Sequence, residues 1–159
     1  MKRVLIFGNS GSGKSTLAHA YAKRPGVKYL DLDNISWKQD RPGVREEDLV
    51  SIMNLDSFTA GDEQWVIEGC YSGLIAHTAK DATEMIFMNP GIEVWIENCK
   101  SRPWEPHKYP SKEEQDKNLE MLLDWVREYE TRKDEFSFNE HRKLFRSFPG
   151  NKVELLSNQ

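Results

Sequence analysis

Short apolar runs alternate along the chain with segments whose apolar residues recur every three or four positions, the pattern of strands joined by crossover helices in a mostly parallel sheet. Val4 to Phe7 is apolar without in-and-out alternation, which predicts a central strand covered on both faces. Residues 14–23 set Leu17, Ala18, Tyr21 and Ala22 on one helical face and stop at Arg24-Pro25-Gly26. Val27 to Asp31 reads as a second strand. A helix over about residues 45–59, bounded by Gly43 and Gly61, brings Leu49, Ile52, Met53 and Phe58 near helical spacing. Trp65-Val66-Ile67, ended by Glu68-Gly69, is the third strand, and Met85 to Met88, closed by Asn89-Pro90-Gly91, is the fourth. A helix through Ile92, Trp95, Ile96 and Cys99 follows. Pro103, Pro106 and Pro110 then break residues 103–110 into a loop that carries Trp104, His107 and Tyr109.

Ser111-Lys112-Glu113-Glu114 fits the capping box, in which the Ser and Glu side chains satisfy free N–H groups at a helix start. A long helix is expected from there to about Glu135, with Leu119, Leu122, Leu123, Val126 and Tyr129 as its buried stripe. His141, Leu144, Phe145 and Phe148 suggest one more short helix, and Val153 to Leu156 a last strand. Five strands and about six helices without internal repeats make an α/β fold.

At 159 residues the chain is about one domain long. Its 22 Lys and Arg against 26 Asp and Glu give a net charge of −4. With no basic stripe either, the composition argues against direct binding of nucleic acid or an anionic membrane. The apolar run after Met1-Lys2-Arg3 ends at Gly8 after four residues, too short for a secretory signal, and nothing approaches the roughly 20 apolar residues of a spanning helix. The expected location is the cytoplasm. Cys70 and Cys99 lack zinc or redox spacing and read as reduced structural thiols; the histidines at 19, 77, 107 and 141 lack metal-ligand spacing and read as structural or exposed.

Gly8-Asn9-Ser10-Gly11-Ser12-Gly13-Lys14-Ser15, followed by Thr16, fits the phosphate-loop pattern between a buried strand and a helix. Glycines suit it because the backbone must curl, point successive N–H groups inward and admit phosphate oxygens without a Cβ in the way. Lys14 is then placed to reach the β and γ phosphates, Ser15 offers its hydroxyl to Mg2+, and the helix presents its positive end to the same anion. Ligands of open parallel sheets lie beyond the C-terminal strand ends, so Asp31-Leu32-Asp33 and Glu68-Gly69 fall beside this loop. Asp33 and Glu68 there suit holding metal-bound water or accepting a proton from an acceptor hydroxyl, whereas Asp31 reads as a turn former or helix cap.

Gly8 to Thr16, Leu32-Asp33-Asn34-Ile35-Ser36-Trp37 and Trp65-Val66-Ile67-Glu68-Gly69-Cys70-Tyr71-Ser72-Gly73 together resemble the small P-loop kinases related to adenylate and shikimate kinases. They are especially similar to the branch called topology modulation proteins, or FlaR-like. The likeness is strong through residue 73 and weak beyond it. It implies a three-layer P-loop NTPase fold with a five-stranded parallel sheet, a substrate-binding insertion over about residues 33–64 and a helical lid over about residues 101–117. The acid and tryptophan of the family's L-D-x-x-x-W segment fall on Asp33 and Trp37, and its acidic-Gly pair falls on Glu68-Gly69. Many relatives carry Asp at the position of Glu68 and arginines where this chain has Glu97.

The resemblance thus implies a kinase that moves the γ-phosphoryl group of ATP, with Mg2+, to a nucleoside, nucleotide or hydroxylated metabolite. Lys14, Asp33 and Arg102 form the catalytic set; Gly8, Asn9, Ser10, Gly11, Ser12, Gly13, Lys14, Ser15 and Thr16 bind the nucleotide; Ser15 holds the metal; and Asp33, Trp37, Glu68, Gly69 and Tyr71 bind the acceptor. Lys100, Arg127 and Arg132 are further candidates to neutralise the transferred group, and Arg41, Arg45 and Trp104 to line the acceptor pocket. The alternative is an ATP-binding regulatory protein or slow ATPase without a dedicated acceptor. A GTPase is disfavoured, because Asn151-Lys152-Val153-Glu154 and Asp40-Arg41-Pro42-Gly43 echo its motifs at the wrong places. The expected partner is the small-molecule acceptor, and no residue pattern specifies an oligomeric state.

Overall fold

In the computed structural model, which describes residues 1–61 and 63–158, β1 (Arg3–Gly8) runs through the middle of a wholly parallel five-stranded sheet. Its neighbours are β3 (Gln64–Gly69) and β4 (Glu84–Met88), and β2 (Val27–Asp31) and β5 (Asn151–Leu155) form the edges, giving the order β2-β3-β1-β4-β5. The continuous apolar run of β1 is explained by this position: Val4, Leu5, Ile6 and Phe7 are all buried. Alternate side chains serve opposite faces. Val4 and Ile6 join Val66, Ile86 and Met88 beneath α1 (Lys14–Ala22), which contributes Leu17, Ala18 and Tyr21. Leu5 and Phe7 join Ile67, Met85 and Phe87 on the other face, covered by α3 (Asp48–Thr59), α4 (Ser72–Thr78) and α8 (Phe138–Ser147). This is the three-layer α/β arrangement expected from the sequence.

Between β2 and α3 lies a four-residue helix, α2 (Asp33–Ser36), and a 3-10 turn at Ala79–Asp81 follows α4. Neither α2 nor α4 is marked by apolar periodicity, because each is too short to show it. The helix expected from about residue 45 starts at Asp48, and its buried face is rotated from the expected one. Leu49 and Met53 are 75% and 68% exposed while Ser51 and Leu55 are buried. The Ser51 hydroxyl donates to the Ile35 carbonyl at 2.6 Å, which turns this polar residue inward against α2.

The long helix expected over residues 111–135 is instead two short ones, α6 (Lys112–Lys117) and α7 (Leu119–Arg127), hinged at Asn118. Asn118 donates from its side chain to the Tyr109 hydroxyl at 2.8 Å, tying the hinge to the preceding loop. Beyond Arg127 the chain turns because Tyr129, which is buried, bonds His141 Nδ1 at 2.6 Å, and its carbonyl accepts the Phe138 N–H at 3.0 Å. Tertiary burial overrides a good helical sequence here. The expected stripe is nevertheless the one that packs: Leu119, Leu122, Leu123, Val126 and Tyr129 meet Trp95 and Cys99 of α5 (Ile92–Lys100). Ser111 caps α6 as expected, its hydroxyl accepting the Glu114 N–H at 3.2 Å. Among the described residues no helix is long and apolar enough to cross a membrane.

Candidate active site

The glycine loop joins the C-terminal end of β1 to the first turn of α1. Gly11 and Gly13 have φ of 80° and 93°, in the left-handed region that favours glycine, and a Cβ on Gly11 would lie 2.4 Å from the Trp95 carbonyl. Asn9, 1% exposed, is locked by its Nδ2 donating to the Val126 carbonyl at 3.1 Å and its Oδ1 accepting the Ser10 N–H at 2.9 Å. Lys14 folds back across the loop and donates from Nζ to the Asn9 carbonyl at 2.8 Å. Among the described residues the buried Ser12 hydroxyl has no hydrogen-bond partner, and the first turn of α1, which holds Ser15 and Thr16, contains no acidic residue. An unpaired buried donor beside a helix N-terminus that carries no acidic residue of its own fits an anion in this cradle.

Three acids converge beside it. Glu68 ends β3 almost fully buried, and its Oε1 accepts from the Ser15 hydroxyl at 2.7 Å and from the Tyr29 hydroxyl at 2.9 Å. Parallel register sets Asp31 of β2 directly opposite Glu68. Burial, and then the negative charges of Glu68 and Asp33, push the Asp31 carboxyl up to about 7. Its Oδ1 accepts the Asp33 N–H at 2.9 Å, the turn-forming role read from the sequence. Gly69 lies beneath Leu32, where a Cβ would fall 2.8 Å from Leu32 Cβ, so its smallness lets the turn after β2 close on β3.

Asp33 is reached from two sides. Trp37 Nε1 donates to the Tyr71 hydroxyl at 2.9 Å, and that hydroxyl in turn donates to Asp33 Oδ1. On the other side stands Lys108, 2.7 Å from Asp33 Oδ2, 4.0 Å from Asp31 and 3.8 Å from Glu105. Burial draws the Asp33 carboxyl upward, but the charge and hydrogen bond of Lys108 and the bond from Tyr71 outweigh it and hold it below the ordinary carboxylate range. Burial likewise opposes the charge on Lys108, and the two aspartates overcome this and raise its pKa. Lys108 escapes sequence reading because nothing in Trp104-Glu105-Pro106-His107-Lys108-Tyr109 separates it from a surface lysine. Its partners lie about 75 residues earlier in the chain.

Arg102 donates to the Ser10 hydroxyl at 3.4 Å, and its other terminal nitrogen lies 3.8 Å from Glu105, so it stands at the glycine loop. Arg127 pairs with Asp124 on the surface, and Arg132 stacks 4.2 Å over Trp125 while pairing with Asp134. Arg45 packs 4.7 Å over the Tyr71 ring and reaches Glu135 at 3.3 Å, whereas Trp104 and Arg41 are exposed. The structure therefore brings together Lys14, Ser15, Asp31, Asp33, Glu68, Tyr71 and Trp37, with Arg102 and Lys108 covering them. Among the described residues no three His, Cys, Asp or Glu side chains form a metal-binding group on their own. The Ser15 hydroxyl with Glu68 behind it suits Mg2+, which takes few protein ligands and shares the rest with phosphate oxygens and water.

No family model matches the chain. Solved structures align with it almost end to end. A sugar kinase from Janibacter sp. HTCC2649 superposes with a TM-score of 0.54 at 15% identity, over 98% of this chain and 84% of that one. A gluconokinase from Sinorhizobium meliloti 1021 gives 0.54 at 17% identity, over 97% and 82%. The shikimate kinase of Aquifex aeolicus gives 0.51 at 19% identity, over 96% and 86%. The chain has the P-loop kinase fold. In sequence, a bifunctional pantoate ligase/cytidylate kinase from Synechococcus sp. (strain CC9605) is 35% identical over 78 residues, 42% of this chain and 16% of that protein. The match thus spans about one sixth of that relative's length. In P-loop kinase terms, the glycine loop, the acids ending β2 and β3, and the segment after α5 share the C-terminal edge of the sheet, the ligand-binding edge of open parallel sheets.

Proposed function

We propose that the chain is a kinase that transfers the γ-phosphoryl group of ATP to a hydroxyl or phosphate of a small-molecule acceptor. One observation carries this reading: Ser15 of the glycine loop hydrogen-bonds Glu68 at the end of the neighbouring strand, joining a triphosphate cradle to the acids of the acceptor side. Gly8 to Thr16 bind the phosphates, and Lys14 swings from the Asn9 carbonyl to the transferred group. Ser15, backed by Glu68, holds Mg2+, which when bound neutralises phosphate charge. Phosphoryl transfer passes through a loose transition state that asks little of a base. Asp33, held ionised by Lys108 until the acceptor enters and bonded throughout by the Tyr71 hydroxyl, therefore serves mainly to accept and orient the acceptor hydroxyl. Tyr71 and Trp37 fix Asp33 and form the acceptor wall, with Glu68 and Gly69 at its floor.

In this reading residues 33–64 are the acceptor-binding insertion and residues 101–117 a lid within a single domain. Arg102 meets the phosphoryl group from the lid, and lid closure keeps out water, the competing nucleophile. Lys108 occupies the Asp33 carboxylate that the acceptor needs, so acceptor access requires it to withdraw. The resemblance to topology modulation proteins supports a small phosphorylatable acceptor in the range of nucleosides, nucleotides and hydroxylated metabolites. The test is ATP consumption by the intact chain with magnesium across a panel of such acceptors, with Lys14→Ala as control. An acceptor that raises turnover in the wild type and not in the variant is expected. No acceptor lifting turnover above slow hydrolysis would sink the kinase reading.

A further inference from the structure

Two asparagines outside the glycine motif grip its backbone from behind. Asn98, in the last turn of α5, uses both N–H groups of its side-chain amide: one donates to the Gly11 carbonyl at 2.8 Å and the other to Asn158 Oδ1 at 2.8 Å. Asn158, which follows β5, donates from its own Nδ2 to the Ser12 carbonyl at 2.8 Å. The loop is moulded to this pair, since a Cβ on Gly13 would lie 2.9 Å from Asn158 Nδ2.

A trans peptide carries its C=O and N–H on opposite sides, so a carbonyl held on one side of the loop aims its partner N–H to the other. The N–H opposite the Gly11 carbonyl belongs to Ser12 and closes a turn onto the Asn9 carbonyl at 3.2 Å. The N–H opposite the Ser12 carbonyl belongs to Gly13 and points away from Asn158. Asparagine suits the task because its amide both donates and accepts. At position 158 lysine or arginine would grip the Ser12 carbonyl but lose the acceptor for Asn98, and would set a rival cation beside the phosphates.

We infer that Asn98 and Asn158 are positioning residues that preorganise the peptide planes of Gly11, Ser12 and Gly13 for a triphosphate. The inference rests on the reading of this loop as an ATP site. It also gives the proposed lid a mechanical root in the loop, since α5 carries Asn98 and leads directly into residues 101–117. Donors fixed before the ligand arrives cost no reorganisation when it binds.

The experiment is calorimetric titration of the intact chain with ATP and magnesium, for the wild type, Asn98→Ala, Asn158→Ala, the double variant and Asn158→Asp. Thermal midpoints are measured with and without ATP, and turnover at saturating ATP alongside. Each alanine variant is expected to bind ATP about fivefold more weakly, the effect of a lost hydrogen bond. The double variant is expected to lose less than the product of the two, because they share a bond. Asn158→Asp keeps the acceptor for Asn98 but loses the donor to Ser12, and is expected to bind no better than Asn158→Ala. KM for ATP should rise while kcat stays near the wild-type value. Wild-type ATP affinity in both alanine variants overturns the inference, even if their midpoints without ATP fall, because a merely structural role does that alone. A wild type that binds no ATP overturns the phosphate-loop reading itself, and this inference with it.

Discussion

His141 is neutral where it sits. Its Nε2 lies 2.8 Å from the Cys70 carbonyl, which only accepts, so that nitrogen carries the proton and Nδ1 accepts from the Tyr129 hydroxyl at 2.6 Å. Burial pulls its pKa down to about 4. In the unfolded chain an imidazole takes up its proton near pH 6.5, so acid favours the unfolded state between there and pH 4, by about 3 kcal/mol in all. Asp31 works the other way. Its carboxyl is pushed up to about 7, so the folded form binds the extra proton, and stability falls as pH rises from the ordinary carboxylate range through that value. Urea melts of the wild type and His141→Gln between pH 4 and 7 separate the two, since only the wild type should carry the histidine's loss on acidification. At the acceptor side, Asp33→Asn is expected to slow transfer about a hundredfold or more while ATP affinity changes by less than about threefold. Near-normal transfer in that variant would remove Asp33 from the catalytic set.

At the scale of elements, the segment between α5 and α6 is held by polar contacts rather than by a core of its own. Gln115 grips it twice, accepting the Glu105 N–H at 2.8 Å and donating to the Pro103 carbonyl at 3.0 Å. Among the described residues, the ion pairs that tie it to the β2 side are those of Lys108 with Asp33 and Asp31. Lys108→Met should therefore free the segment, with amide exchange over residues 101–110 about tenfold faster, the equivalent of one charge-assisted hydrogen bond. Unchanged exchange would show that Gln115 and Arg102 suffice. The start of α8 offers a simpler case. Ser137 is fully buried and its hydroxyl accepts the Glu140 N–H at 3.1 Å, so Ser137→Ala is expected to cost about 1 kcal/mol in chemical denaturation. The same three-residue step occurs at Ser111 with Glu114, the cap expected from the sequence, and at Ser137 with Glu140, where none was expected. The hinge at Asn118 was not legible in the sequence, because Tyr109 makes it, and Tyr109 is held there by the folded loop.

Across the whole molecule, stability converges on β1. Phe7 stacks on Phe87 with ring centroids 5.1 Å apart and meets the edge of His141 at 5.5 Å, joining the sheet to α8. Phe7→Ala is expected to cost about 3–5 kcal/mol in denaturant melts and to weaken the His141 network with it. The same architecture is reached by structures only 15–19% identical to this chain. Burial pattern and turn geometry therefore carry the fold, and individual side chains carry the site.

The amino-acid sequence by itself determined the strand–glycine loop–helix unit, the five strands, the cap at Ser111 and the apolar stripe of α7. Each of these is a local demand, a positive φ, a free N–H or an apolar face, met by residues within a few positions of one another. Only the tertiary structure decided which face of α3 is buried, where the helix after Ser111 stops, how Asn98 and Asn158 brace the loop, and that Lys108 lies against Asp33. Those outcomes depend on partners far apart in sequence. A charge or an amide has no preferred partner until burial removes water and leaves one within reach.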